Sequence, residues 1–185
     1  YVRQSKLEGF RSRAIYKLKE IDEKFKIINN ISTAIDLGAA PGSWSQYLRK
    51  KISKGKILSI DILDFDPIKD VYLIKGDFTD EKYQNEIINY FGSKVDLIVS
   101  DMAVNTTGNK NLDSIVTGEL SLEAMNFAIN NLVKNGIFIS KIFMGSGFNE
   151  IVAMGKKSFK EFRVYKPPSS RKDSKESFII CKKLK

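Results

Sequence analysis

The residues that could perform acid and base chemistry in this chain are lysines, carboxylates and tyrosines, because it contains no histidine and only one cysteine. This composition excludes catalysis by a Ser-His-Asp or Cys-His arrangement and an ordinary zinc site. Lys141 stands out because it lies within an apolar run, where an unpaired ammonium is costly to bury. Such a lysine is either paired in a functional site or packs its stem while its head reaches water.

Three carboxylates follow segments with the composition of β-strands: Asp61, Asp77 and Asp101. Asp61 comes about 20 residues after a glycine turn, where nucleotide-binding α/β folds place a carboxylate that binds ribose hydroxyls. A strand-end cap is the alternative for this residue. Because ligands bind beyond the carboxyl ends of parallel strands, these carboxylates and Lys141 are expected to lie at one edge of a sheet.

The turn between Gly38 and Gly42 connects an apolar strand to an amphipathic segment that starts at Trp44. Glycines allow a ligand to approach the backbone, and the helix beyond presents free N–H groups. The spacing is neither G-x-G-x-x-G nor that of a P-loop, which would carry a lysine. A ligand-binding turn and a plain connection therefore both remain open at this point.

Apolar periodicity divides the chain into alternating strands and helices. The predicted strands are 34–37, 56–60, 71–75, 95–100, 136–140, 161–165 and 177–182, and the predicted helices are 14–25, 44–51, 80–91, 115–133 and 149–159. This alternation indicates an α/β fold with a parallel, doubly wound sheet. Ser12 is the predicted cap of the first helix. The polar residues 104–114 predict a mobile loop over the site.

The net charge of +9 is concentrated at the two ends of the chain. Residues 1–26 carry a net charge of +4 and residues 156–185 carry +8, whereas the segment between them carries −3. A slightly acidic body with basic ends favours a polyanion such as nucleic acid, held by the ends. A basic surface that serves only solubility is the alternative.

With these motifs in place, the chain resembles the FtsJ-type family of ribose 2′-O-methyltransferases, which use S-adenosylmethionine, over essentially its whole length. The motifs that carry the resemblance are 9–18, 36–44, 76–78, 100–103, Lys141 with 145–148, and 166–171 followed by Glu176. The compact bacterial-type enzymes of large-subunit ribosomal RNA are the most similar members. Ser43 stands where the family usually has a second glycine, and Val104 where it has proline.

The resemblance implies a Rossmann-like class I methyltransferase fold, with a mostly parallel seven-stranded sheet and helices on both faces. It implies a catalytic tetrad, which maps onto Lys17, Asp101, Lys141 and Glu176. It also implies cofactor contacts, for which the matching residues are Gly38, Gly42, Trp44, Asp61, Asp77 and Asp101. RNA would lie across the basic ends, with phosphates on Arg11, Arg13, Arg171 and Lys172. No metal is implied.

The expected reaction is methyl transfer from S-adenosylmethionine to the ribose 2′-hydroxyl of a nucleotide in large-subunit ribosomal RNA. The expected nucleotide is uridine. With no histidine present, Lys141 is the candidate base, while Asp101 and Glu176 would orient it. Partial neutralisation of Lys141 would require burial and the nearby charge of Lys17. Whether Lys141 removes the proton or only positions the oxygen is left open by the residues alone.

The sequence leaves open three alternatives to this predicted function: a different RNA substrate, a different cofactor and a loss of turnover. The same chemistry could act on a tRNA or an mRNA cap. The fold could serve as an RNA-binding ribosome-assembly factor without catalysis, although the intact tetrad argues against that. The glycine turn with Asp61 could bind a nicotinamide, which the absence of G-x-G-x-x-G disfavours.

The length favours one methyltransferase domain over residues 1–185. Its expected parts are a basic N-terminal arm and helix at 1–26, a cofactor-binding core at 27–160, and basic C-terminal strands with a loop at 161–185. No apolar run approaches the length of a membrane span. The protein is expected to be a monomer. Because residue 1 is tyrosine, the natural start is expected to be missing. The expected location is the cytoplasm, or a mitochondrion or other organelle if a targeting segment precedes.

Overall fold

The computed structural model describes residues 1–103, 109–145 and 147–185. After two initial helices, strands and helices alternate along this part of the chain, except at two places where one strand directly follows another. The helices are α1 (Val2–Leu7), α2 (Ile15–Phe25), α3 (Ser43–Lys51), α4 (Glu81–Phe91), α5 (Lys110–Asn131) and α6 (Phe148–Ser158). The strands are β1 (Thr33–Leu37), β2 (Lys56–Asp61), β3 (Tyr72–Lys75), β4 (Val95–Ser100), β5 (Leu132–Phe143), β6 (Phe159–Tyr165) and β7 (Glu176–Leu184).

The strands form one seven-stranded sheet in the order β3-β2-β1-β4-β5-β7-β6. The first five strands in this order are parallel to one another. β7 runs antiparallel to both β5 and β6. The predicted α/β fold with a mostly parallel, seven-stranded sheet is therefore confirmed.

Both faces of the sheet are covered by hydrophobic clusters, because successive side chains of a strand point to opposite faces. Leu58 and Ile98 belong to the cluster that also contains buried residues of α4, α5 and α6. Ile57 and Val99 belong to the other cluster, which contains buried residues of α2 and α3. Burial on both faces explains why the parallel strands read as continuous apolar runs in the sequence.

The order of the strands decides which residues meet at the carboxyl edge of the sheet. In the antiparallel pair of β5 and β7, Lys141 lies opposite Phe178 and Phe143 lies opposite Glu176. Residues two apart on a strand share a face, so Glu176 and Phe178 point to the same side as Lys141. A lysine and a glutamate that are 35 positions apart in the chain are thereby placed next to each other.

Three local features of the structure differ from the sequence analysis. Helix α1 was not predicted. Ser12 is not a cap, because α2 begins at Ile15 with Ala14 before it and no side-chain cap. The predicted loop 104–114 is wrong from Lys110 onward, where α5 begins with the Asn109 side chain accepting from the Leu112 N–H. The first part of that loop, 104–108, and the position of Val104 lie outside the described residues.

Within the described residues, none of the helices combines the length and the apolar character that crossing a membrane would require.

Candidate active site

Four charged side chains meet at the carboxyl edge of the sheet and come from four different elements. Lys17 is on the first turn of α2, Asp101 follows β4, Lys141 lies near the end of β5, and Glu176 begins β7. The strands bring Asp101, Lys141 and Glu176 to this edge because β4 and β5 end there and β7 starts there in the opposite direction. We call these four residues the charged cluster.

The charged cluster is joined by three ion pairs. Lys141 Nζ lies 3.1 Å from Asp101 Oδ1 and 3.6 Å from Glu176 Oε2. Lys17 Nζ lies 2.7 Å from Glu176 Oε1. The four side chains are between 10% and 17% exposed, so the cluster is largely shielded but opens to solvent on one side. The structure thus brings together the four residues of the predicted tetrad, and their catalytic role stays a prediction.

Asp101 Oδ1 is buried and makes no hydrogen bond of normal geometry with any described residue. Its close neighbour is Lys141 Nζ, which lies 3.1 Å away as an ion pair. A buried polar atom without a hydrogen bond is unusual in folded proteins and often marks a functional site. This oxygen retains the capacity to accept a hydrogen bond from a ligand.

Burial and neighbouring charges shift the pKa values in the cluster in different directions. Burial lowers the pKa of Lys141, but the carboxylates of Asp101 and Glu176 outweigh it, so the net shift is upward. Burial raises the pKa of Asp101 against the opposing effect of Lys141 and Lys17. The pKa of Glu176 is lowered, because hydrogen bonding to Lys17 and the charge of Lys141 exceed the effect of burial. Lys141 is therefore protonated in the resting protein near neutral pH.

The two glycines of the predicted ligand turn occupy positions that disfavour a side chain. Both have positive φ, +70° at Gly38 and +111° at Gly42. A Cβ at Gly38 would collide with the Met102 side chain. A Cβ at Gly42 would lie 3.0 Å from both the Arg11 guanidinium and the Ile68 side chain. The turn is thus a narrow backbone cradle that only glycine fits without strain.

Ser43, at the position where the family usually has a second glycine, does not obstruct this cradle. Its side chain is buried, and its Oγ lies 2.8 Å from Ser12 Oγ. The hydroxyl thus ties the N-terminal arm to the start of α3. Ser12, predicted as a helix cap, has this contact instead.

Asp61 and Asp77 lie at the ends of β2 and β3, as predicted, and both brace loops. Asp61 Oδ2 accepts from the Ala40 N–H at 2.9 Å, and its Oδ1 accepts from the Leu63 N–H at 2.9 Å. Asp77 Oδ1 accepts from the Thr79 N–H and hydroxyl. Each carboxylate oxygen has two lone-pair sites, so both residues retain acceptor capacity for a ligand.

The Trp44 side chain does not lie at the edge of this site. It is 3% exposed, and its Nε1 donates to the Ala14 carbonyl at 2.8 Å. Its ring centroid lies 5.8 Å from that of Phe178 in the core. A contact between Trp44 and a ligand would therefore have to come from its backbone N–H at the start of α3.

The four residues expected to contact RNA phosphates are placed differently from one another. The Arg11 guanidinium donates to the Pro41, Asp66 and Pro67 carbonyls, and these bonds brace the glycine turn against the loop after β2. Arg13 Nη2 donates to the Ser169 carbonyl at 2.8 Å. Arg171 and Lys172 are exposed. The structure therefore brings the basic ends together, but the Arg11 guanidinium binds carbonyls of its own chain.

A cleft of about 410 Å³ opens beside the charged cluster. Both basic ends of the chain contribute to its walls, and Lys17 and Glu176 are part of the lining. The lining residues are Arg13, Ala14, Lys17, Arg171, Asp173, Ser174 and Glu176. The cleft thus connects exposed cationic side chains to the buried charged cluster.

Sequence reasoning missed a buried carboxylate next to the site, Asp36 in β1. It is 1% exposed, and its Oδ2 accepts from Ser45 Oγ at 2.7 Å, while Ser45 Oγ lies 2.5 Å from Ser59 Oγ. Burial, with a smaller effect of the charges of Asp101 and Asp61, raises the pKa of Asp36 to about 7. An acidic residue within an apolar strand was the available signal in the sequence.

We expect Asp36 to make the protein less stable as pH rises from about 4 to about 7. Its pKa in the folded state, about 7, exceeds its ordinary value of 3.8, so the folded state holds this proton more tightly than the unfolded chain. The stabilisation is therefore complete below the ordinary pKa and is lost as pH approaches 7. Each unit of difference corresponds to ~1.4 kcal/mol, so an effect of a few kcal/mol is expected.

Urea unfolding of the wild type and of Asp36→Asn between pH 4 and pH 8 tests this expectation. Relative to the wild type, the free energy of unfolding of Asp36→Asn should increase as pH rises over that interval. Asp66→Asn, which makes the same charge change on an exposed side chain, should show no such trend. Parallel pH profiles for wild type and Asp36→Asn would contradict the assignment.

The sheet order, the reversed β7 and the narrow glycine turn followed by a strand-end carboxylate together define a Rossmann-like methyltransferase. The profile of the family described as FtsJ-like methyltransferase matches residues 10–184. The chain belongs to this family, so the predicted enzyme class and its methyl donor, S-adenosylmethionine, are confirmed at the family level.

Related proteins from several organisms bear the name Ribosomal RNA large subunit methyltransferase E. The chain is 61% identical to the one from Pelagibacter ubique over 185 residues, which cover 100% of this chain and 91% of that protein. It is 44% identical to the one from Rickettsia akari over 187 residues, covering 98% of this chain and 82% of that protein.

Solved structures share the fold. A Plasmodium falciparum protein described as a ribosomal RNA methyltransferase superposes with a TM-score of 0.85 at 32% identity, covering 95% of this chain and 98% of that one. A Streptococcus mutans protein crystallised in complex with SAH has a TM-score of 0.59 at 15% identity, covering 89% of this chain and 97% of that one. At that identity, the second structure supports the fold alone.

Proposed function

We propose that this protein transfers the methyl group of S-adenosylmethionine to a ribose 2′-hydroxyl of large-subunit ribosomal RNA. The charged cluster is the proposed catalytic site. The observation that carries the proposal is the set of three ion pairs that join Lys17, Asp101, Lys141 and Glu176 at the carboxyl edge of the sheet. The names of the relatives, given above, support ribosomal RNA as the substrate class.

The carboxyl edge of the sheet has the features that a cationic, ribose-containing cofactor requires. Gly38 and Gly42 have positive φ and carry no side chains, so the backbone of their turn can approach a ligand. Asp61 and Asp77 retain acceptor capacity, which suits hydroxyl and amino groups. We therefore assign cofactor contacts to these four residues, to the backbone of Trp44 and to Asp101. When bound, S-adenosylmethionine supplies an activated methyl group on a sulfonium.

The protein has to position the ribose hydroxyl and remove its proton during transfer. Lys141 is the proposed base, because it is the central member of the charged cluster and contacts both carboxylates. Asp101 holds Lys141 from one side through Oδ1, and the second lone-pair site of this oxygen can accept from the hydroxyl. Glu176, held by Lys17, positions Lys141 from the other side.

The cleft lined by both basic ends is the proposed path of the RNA. Arg13 and Arg171 line the cleft, and Lys172 is the next residue in the chain. Arg171 and Lys172 are exposed and can meet phosphates. Arg11 is assigned an indirect role, because its guanidinium already binds three carbonyls. Since a ribose 2′-hydroxyl carries no base identity, specificity would come from RNA shape or accessible single strands.

We expect the double substitution Arg171→Ala with Lys172→Ala to weaken RNA binding and to reduce its dependence on salt. The slope of log K against log salt concentration is negative, and each phosphate contact that is lost reduces its magnitude by about 0.7 to 0.9. Filter binding of ribosomal RNA fragments at several salt concentrations measures this slope.

The matched control for this pair is Lys156→Ala with Lys157→Ala. Both lysines are exposed in the last turn of α6, so the variant loses the same two charges from a different surface. It should bind RNA with the wild-type slope. Equal slopes for wild type and the Arg171 and Lys172 variant would exclude this loop as an RNA contact.

Methyl transfer to separated RNA pools tests the proposed function. Labelled S-adenosylmethionine is incubated with the protein and with large ribosomal subunits, free ribosomal RNA, tRNA or capped mRNA. Label in ribosomal RNA that protects the modified ribose from alkaline cleavage is the expected result. Label found only in tRNA or in mRNA caps, or none in any pool, would refute the proposed substrate.

Several finer features belong to the same proposal. We assign uridine as the modified nucleotide, a monomer as the working form, residues 1–185 as one methyltransferase domain and the cytoplasm as the location. Nuclease digestion of the labelled RNA identifies the nucleotide, and light scattering at working concentration measures the mass.

A further inference from the structure

Two consecutive serines are buried beneath the exposed basic loop near the C-terminus. Ser169 is 2% exposed and Ser170 is 5% exposed, although the next two residues, Arg171 and Lys172, are exposed. Buried hydroxyls usually have hydrogen-bond partners. The two serines differ in this respect, because Ser169 Oγ has no partner among the described residues and Ser170 Oγ has one.

The partner of the Ser170 hydroxyl is Glu176 of the charged cluster. Ser170 Oγ donates to Glu176 Oε1 at 3.0 Å, and Lys17 Nζ reaches the same oxygen at 2.7 Å. The other oxygen, Oε2, lies 3.6 Å from Lys141 Nζ. The last torsion of a glutamate is broad, so the donors on Oε1 restrict the plane of its carboxylate. That plane directs Oε2 toward Lys141.

The main chain around Ser170 is itself fixed to α2 and its N-terminal flank. The Ser170 N–H donates to the Pro167 carbonyl at 2.9 Å, which closes a turn. The Ser169 N–H donates to Glu20 Oε1 at 2.7 Å, and the Ser169 carbonyl accepts from Arg13 at 2.8 Å. The hydroxyl of Ser170 is thus presented from a braced turn, as an accurately placed supporting group requires.

We infer that Ser170 is a positioning residue that fixes the Glu176 carboxylate so that this carboxylate can orient Lys141. The inference rests on the proposed function, in which Lys141 acts on the ribose hydroxyl. Ser170 does not line the cleft, so it acts through Glu176 and not through contact with RNA.

Steady-state methyl transfer by Ser170→Ala tests this role. The expected result is a fall in kcat of about tenfold, which corresponds to ~1.4 kcal/mol, with the KM for RNA changed by less than about twofold. Ser170→Thr retains the hydroxyl and should restore most of kcat. Ser169→Ala is the matched control, since it removes an equally buried hydroxyl without a partner, and it should keep the wild-type kcat.

The pKa of Glu176 provides a readout that a purely structural role would not move. The Ser170 hydrogen bond is one of the influences that lower the pKa of Glu176. This pKa should therefore rise in Ser170→Ala and stay in place in Ser169→Ala and Ser170→Thr. A wild-type kcat in Ser170→Ala, or an equal loss in Ser169→Ala, would overturn the inference.

A measurement without substrate separates this inference from the proposed function. The carboxyl carbon of Glu176, labelled with carbon-13, is titrated by NMR in the wild type, Ser170→Ala and Ser169→Ala, after thermal unfolding has shown that all three are folded. A higher apparent pKa in Ser170→Ala alone supports the positioning role. An unchanged titration in Ser170→Ala overturns it, whatever the turnover, whereas a wild type that methylates no RNA overturns the proposed function instead.

Discussion

Replacement of Lys141 by alanine will reduce methyl transfer by about a thousandfold, a loss within the range that a positioned acid or base contributes. The side chain is the central member of the charged cluster, with Asp101 on one side and Glu176 on the other. No histidine is present in the sequence to replace it as a base. Binding of S-adenosylmethionine should remain near the wild-type level, because the glycine turn follows β1 and Asp61 ends β2, whereas Lys141 is in β5.

The measurement pairs single-turnover methyl transfer with calorimetric titration of the cofactor. Lys134→Ala is the matched control, because Lys134 is an exposed lysine at the other end of the same strand. Thermal unfolding of Lys141→Ala is needed as well, since the change leaves the carboxylates of Asp101 and Glu176 without one shared cation. Near wild-type turnover in a folded Lys141→Ala protein would remove Lys141 from the mechanism.

Lys141→Arg separates the charge of Lys141 from its ability to accept a proton. An arginine keeps the positive charge between the two carboxylates but cannot be deprotonated in a protein. If Lys141 is the base, this variant should be as inactive as Lys141→Ala. Substantial activity in Lys141→Arg would assign Lys141 an orienting role instead.

The rate of the chemical step will rise about tenfold for each pH unit between roughly pH 7 and pH 9, because only the deprotonated lysine can act as a base. Burial lowers the pKa of Lys141, but Asp101 and Glu176 more than compensate and raise it above its ordinary value of 10.5. The deprotonated fraction is therefore small at neutral pH and grows throughout this range. Single-turnover rates with saturating RNA and cofactor measure the slope.

Asp101→Asn provides a second test of whether deprotonation of Lys141 sets the pH dependence of the rate. Removing one of the two carboxylates that raise the pKa of Lys141 should shift the rise in rate to lower pH, although the maximum rate should be lower because Lys141 is less well held. Lys17→Ala is a useful comparison, since it removes a cation of the cluster but leaves both carboxylates next to Lys141. A rate for the wild type that does not change with pH would show that Lys141 acts as a fixed cation.

Local sequence patterns predicted most elements of this fold. β4 was predicted over the range 95–100 that the structure shows, because six residues with this apolar, β-branched composition have one stable arrangement inside a sheet. The carboxylates after β2, β3 and β4 could be placed at one edge for the same reason, since parallel strands end together. Helix starts were less predictable, as the late beginning of α2 and the early beginning of α5 show.

The amino-acid sequence by itself thus determined the fold class, the residues of the charged cluster and, through the glycine turn and its neighbours, the family. Only the tertiary structure decided how these residues are paired. Glu176 reaches Lys17 and Lys141 because β7 enters antiparallel beside β5, a register that no local pattern encodes. Packing likewise turned the Trp44 side chain into the core and committed Arg11 to three carbonyls of its own chain. The physical reason is that strand and helix propensities act over a few residues, whereas these contacts join elements far apart in the chain and form only when the sheet is complete.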